Sequence, residues 1–249
     1  MSVASSVRTP FKQPDPKYMT FVEHLEELRH RLIISVGAIA LGSIVGWFLA
    51  KQVIALLVAP VRASLHVKTL YVPEVYGAFT INLKVAIIIG FAFALPVTMY
   101  QAWAFVSPAF GGKTSRVGPV VITSALVLFA GGVVTAYEVI PLALQFFGKF
   151  ESQNLQVIPF ASEYIGFISL ILLVFGVSFE LPLVLVSLSA IGITSSRWLS
   201  RKRIHFFFGI FIFATVATPG ADAVSPIILG GILYVLFELS IVISRLIGK

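Results

Sequence analysis

The chain has 249 residues, 58% of them hydrophobic and only 12% charged, with a net charge of +7. A soluble domain carries about 25% charged residues, so this chain lacks the polar surface to face water, and lipid is its expected solvent. With no cysteine there is no disulfide framework, thiolate metal site or thiol nucleophile, and the basic excess is read as membrane-loop charge, because no nucleic-acid-binding pattern accompanies it.

In chain order, the stretch Thr20–Leu32 comes first, TFVEHLEELRHRL. Thr20 with Glu23 forms a capping box, so a helix is expected to start there. Phe21, Leu25, Leu28 and Leu32 fall on one helical stripe. At 100° per residue, His24, Glu27 and Arg31 share one flank of that stripe and Arg29 falls on the other. Spacing alone gives an interfacial amphipathic helix with an ordinary Glu27–Arg31 pair at (i, i+4).

A spanning helix needs about 20 apolar residues. The expected spans are Leu32–Ala50, Ala78–Val106, Pro119–Ile140, Tyr164–Ile191, Ile204–Ala217 and Ile227–Ile243. The fifth and sixth are short for a full-thickness bilayer, which tilt or local thinning would accommodate. Pro96 and Pro182 are expected to kink the second and fourth spans. Gly42 and Gly46 form a GxxxG in the first span, which lets another helix approach closely.

Of the eighteen Lys and Arg, thirteen fall in the N-terminal segment, the second and fourth loops and the C-terminal tail. The positive-inside rule then places both termini in the cytoplasm. Residues 1–19 are expected to be a flexible cytoplasmic N-terminus, 20–247 a single membrane domain and 248–249 a cytoplasmic tail. The N-terminus is not expected to be a cleaved signal, because its apolar run comes late and no small-residue cleavage site follows.

Glu180 falls well within the fourth span, where an ionised carboxylate must be protonated, paired or set in a watery cavity. Glu238 in the last span is a second such residue, and Gln101 is polar near the end of the second. Neither GxSxG nor HExxH is present, so an intramembrane hydrolase has no support. A small-molecule or ion secondary transporter is the alternative reading, since intramembrane carboxylates and prolines suit it, although no internal repeat is evident.

Several runs, in order, resemble the TatC family, the receptor subunits of the twin-arginine protein translocase. They are HLEELRHRL at His24–Leu32, LPVTMYQAWAFVSPAF at Leu95–Phe110, FGVSFELP at Phe175–Pro182 and GITS at Gly192–Ser195. The basic run Arg201–Arg203, the Thr218–Pro219 turn with Asp222, and LYVLFELS at Leu233–Ser240 follow. The resemblance spans residues from about 20 to 247 and implies an all-α integral membrane protein. It would have six spans, a short final pair and a concave membrane-embedded face, and would lie in the cytoplasmic (inner) membrane.

The resemblance further implies a non-enzymatic receptor that binds twin-arginine signal peptides of folded precursors on its cytoplasmic face. It would assemble with TatA- and TatB-like single-span proteins into an oligomeric complex, driven by the proton-motive force and without a cofactor. Glu27 would receive the arginine pair, with His24, Arg29 and Arg31 in the same site. That chemistry is sound, because guanidinium and carboxylate match in bidentate fashion. Glu180 would contribute a polar patch on the concave face, Gln101 would line the partner-docking site, and Glu238 would be a further membrane-embedded polar residue. Pro60, Pro73 and Phe79, in or beside the first periplasmic loop, resemble the cap over that face, and Asp222 in the short hairpin loop would cap the sixth helix or restrain the loop. Two departures stand out. Thr114 occupies a place where many TatC proteins carry a second receptor glutamate, and the run TPGADAVSP is one residue longer than usual, with Pro226 where glutamine is common.

Overall fold

The computed structural model describes residues 21–65, 67, 69–108, 114–150, 158–218 and 224–248. Among them are eight helices: α1 Phe21–Leu65, α2 Gly77–Val106, α3 Thr114–Gly148, α4 Ala161–Ser178, α5 Leu181–Ala190, α6 Ser196–Arg201, α7 Arg203–Ala217 and α8 Val224–Leu246. Five stretches are long and apolar enough to cross a membrane, α4 and α5 together forming one of them, and α7 is a shorter apolar helix. At 1.5 Å per residue, the 15 residues of α7 reach about 22 Å, short of the ~30 Å hydrocarbon layer. Large apolar side chains face outward all round the bundle, Phe48 and Val216 being 74% and 81% exposed. Such a surface is stable only in lipid.

The amphipathic stretch and the first span are one helix. The 45 residues of α1 reach roughly 67 Å, so α1 projects beyond a bilayer. It does not stop at Ala50, because hydropathy ends a span without ending a helix. Pro60 lies inside α1 and is buried, where the sequence placed it in or beside a loop. Proline has no N–H for the carbonyl four residues back, here Leu56. The Tyr137 hydroxyl from α3 donates to that carbonyl at 3.0 Å, and the Tyr164 hydroxyl from α4 donates to the Leu57 carbonyl at 2.9 Å. Two side chains from other helices thereby satisfy the backbone around the proline, the condition for keeping proline within a membrane-protein helix.

Glycines set the closest helix approaches. A Cβ on Gly42 would lie 2.7 Å from the Gly90 carbonyl oxygen, and one on Gly46 2.4 Å from that of Ala86. The GxxxG pair is thus used inside this chain, against α2. Similarly, Gly132 on α3 faces the α4 backbone, where a Cβ would lie 2.6 Å from the Phe175 carbonyl oxygen. The core buries Phe175, Ile165, Ile168 and Ile171 of α4 with Ile140 of α3 and Phe237 of α8.

The fourth span breaks at Phe179–Glu180, and α5 restarts with Pro182 in its first turn. Pro182 lacks the N–H that would meet Ser178, so the break falls where the sequence located a kink. Pro96, by contrast, lies within an unbroken α2. After α5, the GITS run makes a tight exit. Gly192 has φ +86°, and the Gly192 and Ile193 amides bond back to the Ser189 and Leu188 carbonyls, a Schellman closure. Ser195 then caps α6 by accepting from the Trp198 amide at 3.2 Å.

Candidate functional site

At one end of the bundle, α1 and α2 run side by side, and their side chains build a polar cluster. His24, Glu27 and Arg31 lie on the same flank of α1. The Arg31 guanidinium donates to Glu27 Oε1 from Nε at 2.9 Å and again from Nη2. Its Nη1 reaches across to Gln101 Oε1 on α2 at 3.2 Å. The His24 ring stacks on Phe105, one turn beyond Gln101, with centroids 4.3 Å apart and planes 14° from parallel. Spacing on α1 thus gives the pair, and α2 brings Gln101 to Arg31 and Phe105 to His24.

Glu27 is the centre of this arrangement. Its side chain is 17% exposed, and Oε1 is taken by Arg31. Oε2 is buried without a hydrogen-bond partner and lies 3.7 Å from His24 Nδ1. A carboxylate oxygen left unpaired at a helix–helix junction is an acceptor in want of a donor. Arg29 is not brought to the cluster. It lines a shallow groove with Leu25, Leu28, Leu32, Ile33 and Val36 on another side of α1.

Glu180 sits at the α4–α5 break, and neither of its buried carboxylate oxygens has a hydrogen-bond partner; the nearby Ser178 hydroxyl is likewise unpaired. Glu180 lines two cavities. One, of about 610 Å³, opens between α5 and α7 with His205, Gly209 and Phe213 on its far wall. The other, of about 250 Å³, lies toward α2 and α3, against Trp103, Val121 and Ala125. Both are otherwise lined mainly by apolar side chains. Gln101 is not among the residues lining either cavity; it belongs to the Glu27 cluster.

Glu238 has a full set of partners. Arg203 grips it with Nε at 2.7 Å from Oε1 and Nη2 at 2.8 Å from Oε2, and the Tyr234 hydroxyl lies 3.3 Å from Oε1. This pair ties the start of α7 to α8. At the opposite end, Phe79 meets Trp47 edge to face at 5.6 Å. Pro73 is exposed beside the Tyr71–Phe160 bridge, where the Tyr71 amide donates to the Pro159 carbonyl at 3.1 Å. Asp222 lies outside the described residues, as does the side chain of Thr114, the first residue of α3.

Sequence reasoning missed Phe105 and His205. Phe105 had only its spacing of four residues from Gln101, since its meeting with His24 depends on how α2 packs against α1. His205 had none, because its place beside Glu180 depends on how α7 packs.

The family profile described as Sec-independent protein translocase protein (TatC) matches residues 23–231. The protein of that name from Desulforapulum autotrophicum is 37% identical, the alignment covering 92% of this chain and 85% of that one. Its counterpart from Carboxydothermus hydrogenoformans is 35% identical over 94% of this chain and 96% of the relative. The crystal structure of a twin arginine translocase receptor, TatC, is similar with a TM-score of 0.78 at 32% identity, covering 91% of this chain and all of that one. Matches of this extent, together with the helix architecture, establish that the chain belongs to the TatC family of Sec-independent protein translocase proteins.

Proposed function

We propose that this chain is the receptor and core subunit of a twin-arginine translocase, binding the paired arginines of signal peptides at the Glu27 cluster. The observation that carries the reading is the buried, unpaired Oε2 of Glu27 beside an Oε1 already engaged by arginine. An incoming guanidinium would donate to Oε2, and its planar fork suits this better than a lysine ammonium. The His24–Phe105 stack beside it offers an aromatic surface against which a second guanidinium can lie. Both termini and the cluster face the cytoplasm, α7 and α8 form a short final hairpin, and the protein resides in the inner membrane. TatA- and TatB-like single-span partners dock against the concave face that contains Glu180, and the proton-motive force drives transport of folded precursors. Because the family is one of protein translocases, the alternative of a small-molecule or ion secondary transporter is set aside.

The reading is tested by site-specific photocrosslinking from position 24 to a precursor in membranes. A precursor with its arginine pair intact should crosslink, and one with both arginines changed to lysine should not. Equal crosslinking of the two would overturn the site. Orientation is tested separately by introducing single cysteines, since the native chain has none. A cysteine at Gly148 that is labelled only from the cytoplasm would overturn the topology.

A further inference from the structure

The α5–α6 exit and the end of α8 enclose a second basic site that the signal-peptide reading does not use. Ser195, Ser196, Arg197, Arg245 and Gly248 line a cavity of about 620 Å³, and among the described residues no carboxylate lines it. The ion pair that ties α7 to α8 spends its charge internally, because Arg203 is committed to Glu238. Arg197 is exposed and has no hydrogen bond or ion pair among the described residues. Arg245 is held in place by one bond, from Nη2 to the Ser200 hydroxyl at 3.0 Å, which leaves its remaining donors free. Two guanidinium groups and neighbouring hydroxyls around one recess, uncompensated by acid among the described residues, suit a phosphate group.

The surroundings indicate where that phosphate comes from. Leu246 and Ile247 beside Arg245 are 82% and 51% exposed, and Trp198 on α6 is 46% exposed. Exposed leucine, isoleucine and tryptophan flanking a basic recess at the end of a spanning helix fit the boundary between headgroups and acyl chains. We propose that Arg197 and Arg245 bind the phosphate of an anionic phospholipid, clamping α6 and the end of α8 to the membrane surface. Basic pockets between helices at a membrane surface take anionic headgroups in this way. A hydroxyl chain of Ser189, Thr194 and Ser244, with contacts of 2.9 and 3.2 Å, links α5, its exit and α8 beneath the site.

The test uses the full-length protein purified in detergent and titrated with dioleoylphosphatidylglycerol or dioleoylphosphatidylcholine, with retained lipid counted by native mass spectrometry. Phosphatidylglycerol should be retained in preference, and Arg197→Gln and Arg245→Gln should each weaken its retention about fivefold, the usual worth of one basic residue at an anionic surface. Arg201→Gln, on the same helix but outside the cavity, serves as the control for general surface charge and should leave retention nearly unchanged. Equal losses in all three variants would overturn the proposal in favour of diffuse charge, and no loss in either cavity variant would also overturn it. Displacement of the lipid by millimolar inorganic phosphate would reassign the site to free phosphate. If Arg245→Gln failed to fold, Arg197→Gln alone would decide, since that side chain is exposed and unpartnered.

Discussion

Arg31 on α1 and Gln101 on α2 are joined by a hydrogen bond of 3.2 Å across 70 residues of sequence, so the arginine that holds Glu27 is itself anchored to the neighbouring helix. The carboxylate is presented on a braced support rather than on a free surface pair. Gln101→Leu removes the brace and leaves the Glu27–Arg31 pair in place. Affinity for a twin-arginine peptide should fall by about 1 kcal/mol, roughly fivefold, the worth of one ordinary hydrogen bond. Peptide titration by fluorescence anisotropy reads this directly. An unchanged affinity would mean that Gln101 does not position the receptor carboxylate.

Glu27→Ala should cost more than Gln101→Leu. Losing one charge-assisted pair costs on the order of 1.5–3 kcal/mol, and the variant should still insert, because Glu27 lies at the end of the bundle and outside its apolar core. Glu27→Gln is the sharper probe. It keeps an acceptor oxygen and removes the charge, so binding that survives in Gln would assign the site to hydrogen bonding rather than to charge.

How legible this site was depended on distance along the chain. Glu27 and Arg31 are four apart on one helix, and spacing alone paired them. Gln101 and Phe105 join them from another helix, and no local rule reports that meeting; Gln101 stood out only as a polar residue near the end of the second span, with no partner indicated. The same limit governed the fold. Gly42 and Gly46 announced a close helix approach, but the partner, Gly90 of the chain's own α2, was not written locally. Pro60 was placed in or beside a loop because the first apolar span ends at Ala50. The groups that keep it helical, Tyr137 and Tyr164, lie 81 and 107 residues from the carbonyls they satisfy. Pro182 was easier, because no side chain of the described residues repairs the break it makes.

Thr114 opens α3 at the same end of the bundle as the Glu27 cluster. The run GGKTSR that contains it is net basic and should repel an arginine pair. Thr114→Glu should therefore raise affinity for a twin-arginine peptide, most clearly at low salt, where screening is weakest. Titration at several ionic strengths distinguishes this from a residue remote from the peptide, for which no gain appears at any salt concentration.

Glu180 presents two unpaired oxygens to two apolar cavities, and the role of its charge separates from the role of its polarity by substitution. Glu180→Gln keeps hydrogen-bonding capacity without charge, and Glu180→Leu removes both. Export of a twin-arginine precursor should be impaired less by Gln than by Leu, because a partner that donates a hydrogen bond into the cavity can still be met by an amide. Equal impairment would show that ionisation is required, and normal export in both would leave Glu180 without a role in transport.

The helix around Pro60 yields a test that does not depend on function. Tyr137 donates to the Leu56 carbonyl, the acceptor that Pro60 leaves without its (i+4) amide. Tyr137→Phe should then cost about 1 kcal/mol of stability, since it leaves a backbone acceptor unpaired. In a Pro60→Ala background, the new amide at position 60 can take the Leu56 carbonyl within α1, so the tyrosine hydroxyl becomes redundant there. The cost of Tyr137→Phe should fall toward zero in that background, a coupling that a double-mutant cycle measures from thermal unfolding in detergent. Tyr164→Phe is the control. Its acceptor, Leu57, is not the carbonyl whose (i+4) amide Pro60 removes, so its cost should be the same with proline or alanine at position 60. If the two tyrosines respond alike to Pro60→Ala, the hydroxyl of Tyr137 is not substituting for the missing amide, and the persistence of α1 through Pro60 must come from packing alone.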